Sequence, residues 1–169
     1  MKSISLLMSF IILTISYTIA AQSDIVSVAV SSKKHSTLAA AIKVAGLVTT
    51  LKGEGPFTVF GPTNEAFDSL PSGTLADLFK PEFKERLNNI LTYHVIPGNF
   101  KAIDLISRIE KSGGTLSIKT VNEGTLEASI INGNIVLKGA TGITATIIAT
   151  DLNTSNAVIH VIDAVLMPE

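Results

Sequence analysis

Thr58-Val59-Phe60-Gly61-Pro62-Thr63-Asn64-Glu65-Ala66-Phe67 packs a strand end, a turn and a helix start into ten residues. Thr58 to Phe60 alternate β-branched and aromatic side chains, as a strand does. Gly61-Pro62 is expected to break that strand. Thr63 or Asn64 can then cap a helix whose first turn carries the acidic Glu65. Ala66 and Phe67 would turn inward from it.

Upstream of this stretch the chain reads as helical. Asp24 can cap a short helix through Ile25, Val26, Ala29 and Val30. A second begins at Ser36 or Thr37, with Leu38, Ala41, Ile42 and Ala45 on one face. Downstream, Thr74 to Phe79 forms a short helix, and Pro81 suits the first position of a longer one bearing Leu87, Ile90, Leu91 and His94. Ala102 to Ile109 is a further helical or irregular stretch. From Gly113 the pattern changes to strands: 115–121, 126–130, 135–138, 143–150 and 158–162. Asn132-Gly133 between two of them is a hairpin turn, because both central residues accept positive φ. Helices gathered in the first half and strands in the second indicate an α+β domain, not a parallel α/β sheet.

The closing stretch from Asn156 to Pro168 carries Val158-Ile159-His160-Val161-Ile162-Asp163, and Tyr93-His94 lies between it and the opening stretch. In this order the three resemble the two motifs and the central Tyr-His pair of the fasciclin (FAS1) domain family. The resemblance runs from about Asp24 to Glu169, and the run from Ser36 to Phe67 matches the family's amino-terminal half. It implies the FAS1 fold, helices packed on a β-wedge or sandwich made mainly by the carboxy-terminal half, as a single domain over 22–169. Thr58, Phe60, Pro62, Thr63, Asn64, Phe67, Asn156, His160 and Asp163 then carry structural roles, Asp163 accepting hydrogen bonds that pin the two motifs together. Ala157 stands where many members have glycine, which puts a left-handed backbone there in doubt.

The chain has 169 residues, 46% hydrophobic and 16% charged, enough apolar content for one sizeable core. A formal net charge of −1 and the lack of a Lys/Arg cluster exclude an electrostatic footprint for nucleic acid. With no cysteine there is no disulfide, thiolate metal site or cysteine nucleophile. Lys2 and the mostly apolar run from Ile4 to Ile15 read as a signal peptide over residues 1–21, cleaved near Ala21. The competing reading, an uncleaved anchor, is opposed by a run shorter than the roughly 20 apolar residues a span needs. Export to the periplasm or the medium is the expectation, with no membrane span after cleavage. Met167-Pro168-Glu169 has no apolar tail of the lipid-anchor kind.

Searching for chemistry yields little. His35, His94 and His160 match no metal-ligand spacing. His94 and His160 are expected in the core with hydrogen-bonded rings, and His35 on the surface. No nucleophile elbow, phosphate loop or calcium loop occurs, so catalytic residues, metal sites and cofactors are all read as none. Asn153-Thr154-Ser155 is formally a glycosylation acceptor.

The resemblance also implies a contact patch. In animal relatives adhesion has been attributed to an Asp-Ile dipeptide before the closing motif and to the Tyr-His region. The matching positions here are Asp151, Leu152, Tyr93 and His94. The competing reading has Asp151 ending a strand and Leu152 packing inward. The function so implied is a non-catalytic, exported adhesion or interaction module whose partner is a cell-surface or matrix protein, a polysaccharide or another envelope component. The alternative is a carrier of an apolar small molecule, since some FAS1 proteins of photosynthetic organisms bind carotenoids between the two motif regions.

Overall fold

The first and last motifs meet as neighbouring strands. In the computed structural model, which describes residues 23–169, β1 (Phe57–Pro62) pairs in parallel with β7 (Ala157–Ile162), from Phe57 opposite Ala157 to Pro62 opposite Ile162. β1 therefore continues through Gly61-Pro62, where the sequence suggested a break. Proline is tolerated there because β2 pairs only with Phe57 to Val59, so that side of β1 is an edge at Pro62 and no N–H is needed. The signal peptide expected over 1–21 lies outside the described residues.

The other strands are β2 (Val95–Pro97), β3 (Thr115–Lys119), β4 (Thr125–Ile131), β5 (Asn134–Lys138) and β6 (Thr144–Asn153). Among the described residues they form one sheet in the order β2-β1-β7-β6-β5-β4-β3. The β4–β5 hairpin turns at Asn132 (φ 51°) and Gly133 (φ 80°), the left-handed pair that its sequence predicts. Strands β4 and β5 alternate exposed and buried residues over most of their length, and β3 exposed and half-buried ones, as strands with one wet face do, whereas every residue of β7 is buried. A strand covered on both faces must be apolar throughout, and Ala157 to Ile162 is so apart from His160.

Among the described residues six α-helices precede β2: α1 (Ile25–Ser31), α2 (Ser36–Ala45), α3 (Val48–Leu51), α4 (Asn64–Asp68), α5 (Thr74–Leu78) and α6 (Lys84–Tyr93). Asp24 caps α1 by accepting the Ser27 N–H at 2.8 Å. Of the two candidates for α4, Thr63 is the cap, accepting the Ala66 N–H at 3.2 Å. Asn64 serves a different helix: its Oδ1 accepts the Thr37 N–H at 3.0 Å and its Nδ2 donates to Lys33 O at 2.8 Å. It thereby supplies the start of α2, where His35 offers no side-chain cap.

α7 (Ala102–Lys111) follows β2 and packs on β3 and β4. The sheet separates two apolar clusters. Leu38, Ile42, Phe67, Leu87, Ile90 and Ile159 lie on the side of α1 to α6, while Phe60, Tyr93, Ile96, Leu105, Leu126 and Ile162 lie on the side of α7. Ala157 is an ordinary strand residue and is not among the residues of positive φ, so glycine is not required there.

Thr63→Ala should lower unfolding stability by about 1 kcal/mol, the usual worth of a helix cap, while Thr63→Ser should be near neutral. Urea unfolding measures both. Equal losses in the two variants would show that the hydroxyl is not what matters.

Candidate functional site

The loop Gly98–Lys101 and the first residue of α7 are held by side chains from three strands. Thr58, fully buried on β1, donates its hydroxyl to Gly98 O at 2.7 Å and accepts the Phe100 N–H at 2.9 Å. His160 on β7 donates from Nε2 to Phe100 O at 2.8 Å. A carbonyl can only accept, so Nε2 carries the proton and Nδ1 is bare. That bare nitrogen accepts the backbone N–H of Asp151 at 3.4 Å. The imidazole also stacks on Phe60, with ring centroids 5.9 Å apart. Burial holds its pKa below the ordinary histidine value, partly offset by the Phe100 carbonyl and the Asp151 carboxylate.

Asp151 closes the arrangement. Its Oδ1 accepts the Ala102 N–H at 2.9 Å, satisfying one of the orphan donors at the start of α7. Its backbone is left-handed, with φ 58°, a conformation that aspartate tolerates better than most residues. It sits where β6 slips register against β7 twice, between Ile147 and Ala149 and between Ala149 and Leu152. Such bulges re-aim side chains. Ile148, within the first slip, is 57% exposed. Leu152 is 41% exposed, and Ile103, on the helix that Asp151 caps, is 67% exposed.

Asp151 therefore lies within β6 rather than ending it, and Leu152 does not pack fully inward, contrary to the structural reading of this pair. The two point to different sides of the sheet: Asp151 reaches α7, whereas Leu152 borders Ile25 and Val28 of α1. The niche at Leu152, between α1 and the two motif strands, measures about 20 Å³.

Tyr93 and His94 are not brought to this surface. They are 0% and 2% exposed, so neither side chain offers area to a partner, and burial corrects their expected place in the contact patch. The Tyr93 hydroxyl donates to Thr125 O at 2.6 Å and accepts the Ala140 N–H at 2.9 Å. Its ring passes so close to Gly124 that a Cβ there would lie 2.7 Å from it. His94 Nδ1 donates to Ile90 O at 2.8 Å, and its Nε2 accepts the Leu166 N–H at 3.0 Å. The Tyr93 ring is an internal strut between α6 and β4, and the His94 ring one between α6 and the segment that follows β7.

Two further expectations need correction. His35 is buried, not on the surface: the 3-10 turn Lys33–His35 folds its ring against Leu38, Val59 and Ile159. Asp163 accepts a backbone N–H at 2.7 Å, but that of Thr146 on β6, so it ties β6 to the end of β7 rather than one motif to the other. Asn156 makes a link of that kind instead. Its Nδ2 donates to Leu51 O at 2.8 Å and to Gly53 O at 3.0 Å, and its backbone carbonyl accepts the Phe57 N–H. No cluster of three or more metal-ligating side chains occurs among the described residues, and no described helix is long and apolar enough to cross a membrane.

The fasciclin domain profile matches residues 33–168. The chain belongs to the fasciclin family. It is 44% identical over 146 residues to protein sll1483 of Synechocystis sp., an alignment covering 85% of this chain and 73% of that one. To the cell surface glycolipoprotein MPB83 of Mycobacterium bovis it is 36% identical, covering 88% of this chain and 62% of the other. To transforming growth factor-beta-induced protein ig-h3 of Sus scrofa it is 38% identical over 80% of this chain but only 18% of that protein. A solved FAS1 domain pair from the insect cell adhesion molecule fasciclin I superposes with a TM-score of 0.75 at 20% identity, covering 87% of this chain and 51% of that one. The last comparison shows the FAS1 fold, with the helix-first, strand-later order of the sequence.

The histidines of this fasciclin domain make its stability pH-dependent. Burial lowers the pKa of His94 from 6.5 to about 4 and lowers those of His35 and His160 as well. The unfolded chain then binds more protons than the folded one between these limits, so stability is full above pH 6.5 and falls as pH drops toward 4. His94 alone should account for about 3 kcal/mol of loss by the lower end. The lowered carboxyls of Asp24 and Glu65 extend the loss at still lower pH. Urea unfolding at pH 7, 6, 5 and 4 reads this directly, and a flat profile between 7 and 5 would contradict it.

Proposed function

We propose that the domain is an exported, non-catalytic adhesion or interaction module, and that its contact surface is the bulged end of β6 with the start of α7. The observation that carries this reading is the 36% identity, over 88% of the chain, to a protein named for its place on the cell surface. The geometry adds exposed apolar residues in support. Ile103 is exposed on the helix that the half-buried Asp151 carboxylate caps, and Ile148 and Leu152 are exposed along the bulged strand, Leu152 on the opposite side of the sheet from that carboxylate. Solvent-facing aliphatics of this size suit a protein or envelope-polymer partner. The scaffold beneath is rigid, because Asp151 is held through both its carboxylate and its backbone N–H. The partner class is a cell-surface or matrix protein, or an envelope polysaccharide. The carrier alternative is less well supported, since a carotenoid would have to open the 20 Å³ niche between α1 and the motif strands.

Retention of cells or envelope polymer on a surface coated with the protein tests the reading. Leu152→Glu should reduce retention about tenfold, the effect of removing one apolar anchor. Asp151→Asn keeps an oxygen for the Ala102 N–H while deleting the charge. It should weaken retention with little change in the urea midpoint, separating contact from folding. Retention indifferent to both substitutions would reject the site, and no retention by the unsubstituted protein would reject the module.

A further inference from the structure

The sheet has two edges, β2 and β3, and its curvature brings them toward each other. Val121, just past β3, donates its N–H to Val95 O of β2 at 2.8 Å. From that stitch the edges part, and α7 backs the gap. The resulting cleft has a volume of about 240 Å³. Ile96 and Leu105, at most 1% exposed, form its floor, and Phe100, Leu116 and Ile118 form its walls.

The rim is cationic. Arg108 of α7 holds its guanidinium carbon 4.4 Å from the centre of the Phe100 ring, and Lys119 of β3 also lines the cleft. No carboxylate lines it. The acid one turn before Arg108, Asp104, is turned away, its Oδ2 accepting the Lys101 N–H at 3.0 Å. Among the described residues Arg108 takes part in no ion pair. A planar, stacked guanidinium with unspent donors at the mouth of an apolar slot matches a carboxylate attached to hydrocarbon. The slot is smaller than the pockets that take drug-sized ligands, about 300 Å³ and upward, which favours one acyl chain over a large or branched ligand.

We infer that the β2–β3 seam is a binding site for a short single-chain carboxylate amphiphile, its chain on Ile96 and Leu105 and its head group at Arg108 and Lys119. This site is separate from the contact surface above: Arg108 lies about 9 Å along α7 from Ala102. The inference stands whether or not the adhesion reading does.

The test is titration of the full chain with decanoate, below its micelle-forming concentration, followed by amide NMR. Decanol serves as the uncharged probe of equal chain length. Decanoate should produce saturable shifts at Ile96, Leu116, Ile118 and Arg108, with an affinity about fivefold above that of decanol, the upper range for one exposed ion pair. Arg108→Gln should bring decanoate down toward the level of decanol, with Lys119 retaining the remainder, and leave decanol unchanged. Absence of saturable shifts, shifts centred elsewhere, or equal effects of Arg108→Gln on both probes would overturn the proposal. Shifts given by an extended acidic peptide but not by decanoate would also overturn it, in favour of strand addition to the β3 edge.

Discussion

The parallel pairing of β1 with β7 is the constraint on which the remaining structure depends. It joins residues about a hundred positions apart, from Phe57–Ala157 to Pro62–Ile162, so the whole intervening chain must fold around it. Both strands are sealed on both faces, the first by α1 to α6 and the second by the α7 layer. Burial of side chains such as Phe60, Ile159 and Ile162 stabilises the pair by about 1.5–3 kcal/mol each. Polar groups inside such a pair must find partners in place, or the same burial becomes a penalty.

Those partners also shape the surface. Thr58 and His160 are the polar intrusions in two apolar strands, and both spend their hydrogen bonds on Gly98 and Phe100. The loop so fixed delivers Ala102 to Asp151, and Asp151 in turn is fixed by His160. A neutral His160 with its proton on Nε2 serves both bonds at once. Protonation of Nδ1 would set two N–H groups against each other. The core's need for a satisfied histidine and the rigidity of the outer ledge are therefore one requirement. The neighbouring hydrophobics Ile148 and Leu152 stand out from β6 because two register slips turn them there.

Much of this was legible in the chain. The Asn132-Gly133 turn, the Asp24 and Thr63 caps and the two buried motif strands rest on local chemistry, and local chemistry is written in adjacent residues. The apolar segments around His94 and His160 pointed to core histidines with satisfied rings, and both are buried with both ring nitrogens hydrogen-bonded. What was not legible depends on partners distant in sequence. Asn64 looks like a cap for its own helix, but it supplies α2, 27 residues upstream. His35 looks like a surface residue beside two lysines until the 3-10 turn folds it against β1 and β7. Tyr93 was expected at a contact patch because a motif does not say which way a ring points. Asp151 and Leu152 were expected to share one patch, yet alternation along a strand sends neighbours to opposite faces, and only the pairing register reveals what each then meets.

Native-state hydrogen exchange tests the central claim most directly. If the β1–β7 pair is the constraint on which the fold rests, the amides of Val59, Phe60 and Val158 to Val161 should exchange only through global unfolding, with free energies equal to that of the whole domain. The β4–β5 hairpin and α7 should open at lower free energy. Exchange of the motif strands before the hairpin, or at a free energy well below the global value, would contradict the account.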